Sequence, residues 1–175
     1  MRLTIFSRLT LGYFAIFIIM GIVNAYTLWQ LNQINKGTKQ IIKIDERILE
    51  LRKKLFDSIL SQMGYEKKFI ITKDPIFHSQ FLSSETDFTK HLNDALYIAD
   101  TPEKTTILNQ EENNYSKYRS LVLHDVEIIR NNKSYSKDKS EVEKEKLIED
   151  ILDDLKALES TTLNDVYQRM EMLSE

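Results

Sequence analysis

The sequence contains no cysteine and, over 175 residues, only two prolines and four glycines. Without thiols there is no disulfide framework, no cysteine zinc site and no thiol catalysis. So little proline and glycine leaves too few turns for an all-β sandwich or a glycine-rich nucleotide fold. An excess of one charge is lacking too. The 24 basic and 27 acidic residues give a net −3, which provides no electrostatic reason to expect nucleic acid as a partner. No enzyme class gains positive support. The length suits one domain with a real core and room for an appendage.

What is present divides sharply. Leu9 to Trp29 (LTLGYFAIFIIMGIVNAYTLW) contains no charged residue. As a helix it is about 31 Å long at roughly 1.5 Å per residue, matching a bilayer core of about 30 Å. Tyr13 near one end, and Tyr26 with Trp29 near the other, stand where interfacial aromatics stand. The segment reads as a transmembrane helix over 9–29, after a cytoplasmic start at 1–8. Val23-Asn24-Ala25 also fits a small-residue cleavage site, the mark of a secretory signal peptide, but the apolar run continues past it to Trp29. Arg2 and Arg8 lie closer to the run than Lys36, Lys39 and Lys43, which favours the N-terminus inside. Residues 30–175 carry 22 basic and 27 acidic residues and are expected outside the cytoplasm. Gly21 and Ala25, beside Asn24, form a small-xxx-small pair that suits packing of two such helices, although small residues are common in any membrane helix.

Beyond Trp29 the apolar residues take helical spacing. Ile41, Ile44, Ile48, Leu51, Leu55, Ile59 and Met63 predict one buried stripe on a helix over about 30–72. Lys43, Glu46, Arg47, Glu50, Lys53, Lys54 and Asp57 form its solvated face. Asp74-Pro75 and Thr101-Pro102 each place a capping side chain before a proline at the first helical position. They start helices over about 75–100 and 102–130. Asn131–Lys139 reads as a loop, and Ser140-Glu141-Val142-Glu143 as a capping box opening a helix over 140–175. Each helix has one apolar stripe to bury. The expectation is an all-α fold, a transmembrane helix continuous with an antiparallel up-down-up-down four-helix bundle over 30–175.

The short basic start, the membrane helix, and a long first helix ending in Tyr65-Glu66-Lys67-Lys68-Phe69-Ile70-Ile71-Thr72-Lys73-Asp74-Pro75 resemble the N-terminal half of bacterial sensor histidine kinases. The layout is similar to their CHASE-type helical sensory regions, shared in outline with methyl-accepting chemotaxis receptors. In those families an aliphatic run and Thr-x-Asp close the first helix, and aromatics such as Phe77 and Phe81 open the second. This chain differs where the family often has glycine and arginine before that run, offering Gly64, Lys67 and Lys68. The resemblance implies a second membrane helix, a HAMP-type linker and a dimeric kinase beyond residue 175. His78, His91 and His124 lack a phospho-acceptor setting, so this segment is not itself expected to be an enzyme.

Candidate sites are few. If the second and third helices fold back near residue 101, His78 and His124 lie at one height and face each other as a metal pair or pH switch, with Asp125 near. The plainer reading leaves both at the edge of the core. Tyr115, Tyr118, Phe77, Phe81 and Phe88 either line a ligand pocket or simply fill the core. Arg119 either binds a ligand carboxylate or pairs with a neighbouring glutamate. No cofactor and no metal are expected. The reading is a membrane-anchored, homodimeric sensory input domain of a two-component histidine kinase, in the bacterial inner membrane with its bulk periplasmic or extracellular. A chemoreceptor input domain, a tethered helical adaptor and a secreted bundle are the alternatives.

Overall fold

A computed structural model describes residues 5–131 and 137–174, with side chains for 13–14, 16–30, 43–131 and 140–171. Among the described residues the fold is all-α, with no strand: α1 (Ile5–Thr72), α2 (Pro75–Ile98), α3 (Pro102–Arg130) and α4 (Lys137–Ser174). The chain divides into two compact units, Met1–Ile41 with Glu175, and Ile42–Ser174.

In the first unit the apolar run is helical, and every described side chain from Tyr13 to Gln30 is exposed. Phe17 is 79 % exposed and Ile19 61 %. Thr27 returns its hydroxyl to the Val23 carbonyl at 2.8 Å, so that polar group is satisfied within the helix. Among the described residues no helix is long and apolar enough to cross a membrane. Arg2 lies outside the described residues, as do the side chains of Arg8, Lys36, Lys39 and Ile41.

The second unit is built on the predicted stripe. Ile48, Leu51, Leu55 and Ile59 are buried, while Lys43, Glu46, Arg47, Glu50, Lys53 and Asp57 face solvent. Past Ile59 the stripe turns aside: Gln62, Glu66 and Phe69 are buried, and Met63 is left half-buried. From α2 come Phe81, Phe88, Leu92 and Ala95. Leu108, Tyr115, Tyr118, Val122 and Ile129 come from α3, and Leu147, Ile151, Leu155 and Leu158 from α4. Burying each large apolar side chain contributes roughly 1.5–3 kcal/mol.

The first two helix starts form as expected. The Asp74 carboxylate accepts from the Ile76 amide at 2.9 Å, and the Thr101 hydroxyl from the Lys104 amide at 3.3 Å. Between α1 and α2, Lys73 takes a left-handed backbone (φ 56°), the conformation that ends many helices and that glycine adopts at least cost. The other boundaries need correction. α2 stops at Ile98, short of Asp100. The proposed start of α4 at Ser140 fails, because the helix begins at Lys137 and Ser140 lies inside it. Its hydroxyl donates to Asp125 of α3 at 2.9 Å, a tertiary contact from within the helix and not a cap at its start. Residues 132–136 of the expected loop lie outside the described residues.

Candidate functional site

Polar side chains occupy core positions that periodicity assigned to apolar residues. Three groups of them join the helices of the second unit. In the first, Lys104 of α3 is fully buried, and so is Asp45 of α1. The Lys104 ammonium donates to Asp45 at 2.6 Å and to Asp100 at 2.9 Å. Asp165 of α4 lies 2.7 Å from the same nitrogen as an ion pair. Arg169 donates to the second oxygen of Asp45, and to Asp100 at 2.7 Å. Burial alone would push the Lys104 ammonium down, but its three carboxylates hold it above the usual lysine value. Burial likewise works to raise Asp100, yet the hydrogen bonds from Lys104 and Arg169 hold it below the usual aspartate range.

Among the described residues, Asp45, Asp100 and Asp165 are the grouping whose donor atoms lie close enough for one metal ion, within 4.8 Å. The Lys104 ammonium already contacts all three, so a resident cation serves them.

The second group centres on Lys144 of α4. It donates to Glu66 of α1 and, at 2.7 Å, to Asp125 of α3, which also accepts from Ser140. The Tyr118 hydroxyl donates to the other oxygen of Glu66 at 2.7 Å. Burial and the Glu66 carboxylate hold Tyr118 firmly in its neutral form. A third, uncharged group lies alongside: the Tyr115 hydroxyl donates to Gln62 at 3.0 Å, and Gln62 donates to the Ser84 carbonyl of α2 at 3.2 Å.

These contacts settle where the sequence candidates lie. Tyr115 and Tyr118 are core residues with bonded hydroxyls, and the Phe88 ring stacks on Tyr115 at 3.9 Å between centroids. Phe81 and Phe88 fill the core with them, and Phe77 packs half-buried at its edge. Open space lies elsewhere: a groove of about 290 Å³ between α1 and α2 has a lining that includes Asp57, Ser58, Ser61, Ser83 and Asp87. Short serine side chains leave it unfilled, with Tyr65 also on its lining. Arg119 pairs with Glu85 of α2, so its carboxylate partner is within the chain.

His78 and His124 are not brought together. His124 is exposed. His78 is buried against the Phe69 ring, with Nδ1 3.2 Å from an Arg130 guanidinium nitrogen. Because arginine can only donate, Nδ1 accepts there and the neutral ring keeps its proton on Nε2. Burial and Arg130 both lower its pKa. Gly21 and Ala25 are exposed on the first unit, and a side chain at Gly21 would meet nothing within 4 Å.

Sequence reasoning missed Asp45, Lys104, Glu66 and Lys144 as a core set. The available signal was spacing: Asp45 precedes Ile48 by one helical step, and Gln62 and Glu66 continue the stripe between Ile59 and Phe69. Chemically, these groups can hold protons and exchange ion-pair partners between helices. Comparison with family models, with curated proteins and with solved structures gives no match.

Proposed function

We propose that the chain is the membrane-anchored sensory input region of a two-component histidine kinase, in which a signal repacks helices and a cytoplasmic output module reads the change. The observation that carries the membrane part is the run of exposed large apolar side chains on a helical stretch, Tyr13, Phe14 and those between Ile16 and Trp29, too large a surface to leave in water without a function. Lipid is the solvent that suits it, with Tyr26 and Trp29 paired at 6.2 Å at one end. Gly21 and Ala25 on that surface, beside Asn24, suit contact with the same helix of a second copy, hence a homodimer.

The second unit is read as an antiparallel up-down-up-down four-helix bundle. Interhelical partners support that order. As numbering rises on α1 from Asp45 through Arg52 to Glu66, partners on α4 fall from Arg169 through Glu159 to Lys144. Partners on α3 rise from Lys104 through Tyr115 to Tyr118. On α2 they fall from Ser84, opposite Gln62, to His78, opposite Phe69. Buried ion groups spanning several helices suit a signalling role, because two packings that differ by a few kcal/mol are what a signal needs to select between.

Two experiments test this reading. The chain contains no cysteine, so a Tyr97→Cys variant offers one thiol at an exposed site. Retention in the membrane pellet after alkaline carbonate washing, with labelling by an impermeant maleimide in intact cells, is expected. Release by carbonate, or labelling only after lysis, removes the membrane-anchored extracytoplasmic reading. The coding DNA after Glu175 is expected to encode a second apolar run of about 20 residues and a kinase. A methyl-accepting module there would choose the chemoreceptor version, and a stop codon the tethered adaptor.

A further inference from the structure

Among the buried charge-bearing groups outside these networks, Glu111 is the most enclosed. Glu111 stands in the middle of the buried face of α3, between Leu108 and Tyr115, and is 0 % exposed. Neither of its carboxyl oxygens has a hydrogen-bond partner. The charges acting on it come from two helices: Asp154 of α4 repels its ionised form, and Arg52 of α1 attracts it. The buried face of α2 brings no charge at its centre, where Phe81, Ser84, Phe88, Leu92 and Ala95 lie.

Arg52 is engaged elsewhere. Its Nε donates to the Leu155 carbonyl at 3.2 Å, and its Nη2 pairs with Glu159 at 2.7 Å, so it ties α1 to α4. Asp154 accepts from Asn114 at 3.0 Å, and burial, with Asp150 and Asp153 nearby, holds its own carboxyl above the usual range. An ionised Glu111 therefore has no donor within this packing and a carboxylate for a neighbour. The neutral acid is the form the site accommodates, and desolvation followed by Asp154 drives its pKa well above the ordinary glutamate value.

We propose that Glu111 is a proton-operated latch: as the neutral acid it permits the closed packing of α1, α3 and α4, and on losing its proton it draws Arg52 away from Leu155 and Glu159. The proton leaves to solvent, and the attraction that held α4 to α1 is redirected to α3. Because the folded-state pKa lies above the unfolded value, the closed state is fully favoured below pH 4.5 and loses stability as pH rises towards the folded value. This inference concerns the packing of the second unit and stands apart from the sensory reading.

The test uses the full chain in detergent micelles, with thermal unfolding followed by circular dichroism at pH 5 and pH 8. The wild-type midpoint is expected to fall by about 5 °C on raising the pH, and most of that fall is expected to vanish in Glu111→Gln, which cannot ionise. Hydrogen exchange, corrected for intrinsic rate, is expected to rise in α3 and α4 segments of the wild type at pH 8 and not in the variant. A full-sized fall in Glu111→Gln, or none in the wild type, overturns the proposal. Should the variant fail to fold, carbonyl infrared spectra of Asp154→Asn decide: a protonated-acid band persisting at pH 6 supports the latch, and its absence overturns it.

Discussion

Lys104 and Glu111 lie about two turns apart on one face of α3, and both are fully buried. The protein treats them in opposite ways. Around Lys104, three carboxylates and Arg169 converge from α1, α4 and the segment before α3, so the Lys104 charge is kept and Asp100 is held in its charged form. Around Glu111 no donor is supplied, and the group is driven towards neutrality. A buried ionisable side chain is thus not one kind of feature. Whether it acts as a fixed tie or a titratable switch depends on how many partners the neighbouring helices deliver.

The comparison breaks most violently at its charged end. Lys104→Met leaves Asp45, Asp100 and Asp165 facing one another with only Arg169 to offset them. We expect a loss of about 3–5 kcal/mol in chemical denaturation, the usual cost of removing one partner from a buried ion group. Loss below about 1 kcal/mol would show that water or rearrangement replaces the ammonium. Glu66→Gln at the Lys144 group is expected to be milder, about 1.5–3 kcal/mol, because Asp125 still holds Lys144. Equal losses for the two variants would show that the number of surviving partners does not govern the cost.

Titration sharpens the contrast, because the two sites carry opposite signs. With Asp100 below and Lys104 above their ordinary values, that group contributes stability between the two unfolded values, 3.8 and 10.5. It is lost as pH falls below the first or rises through the folded value of the second. Glu111 instead disfavours the fold as pH rises above 4.5. In Glu111→Gln the stability profile is therefore expected to flatten between pH 5 and 8 while both outer losses remain. An acid limb that also disappears would tie Glu111 to the Lys104 group.

The smallest expected effect lies away from both sites. Gly64 is inside α1, and an added Cβ would meet nothing within 4 Å. Gly64→Ala is expected to stabilise by about 0.5–1 kcal/mol, the helix-propensity difference alone. A destabilised variant would mark Gly64 as a contact point for something outside the chain, and so give the glycine of the resembling family a counterpart here.

Much of the fold was legible beforehand. The stripe from Ile48 to Ile59, both proline-led helix starts and the solvated face of α1 follow from spacing and local chemistry, which act within one or two turns. Ser140 shows where such reasoning fails: its local motif is sound, but the helix begins three residues earlier, at Lys137, and the hydroxyl ties α4 to Asp125 of α3. The site was less legible. Periodicity counts apolar residues, so Asp45, Gln62, Glu66 and Lys144 fell out of the stripes they continue. The histidine pairing used height alone, and a helix also has faces: His78 turns inward to Arg130, whereas His124 points to solvent.

By itself, then, the sequence determined the helices, the apolar segment over 9–29 and most of the core, because helix propensity, capping and burial periodicity are local properties. Only the tertiary structure decided which buried charges are satisfied. Three helices must meet before Lys104 has its carboxylates or Glu111 is left without a donor, and no property of a single helix specifies that meeting.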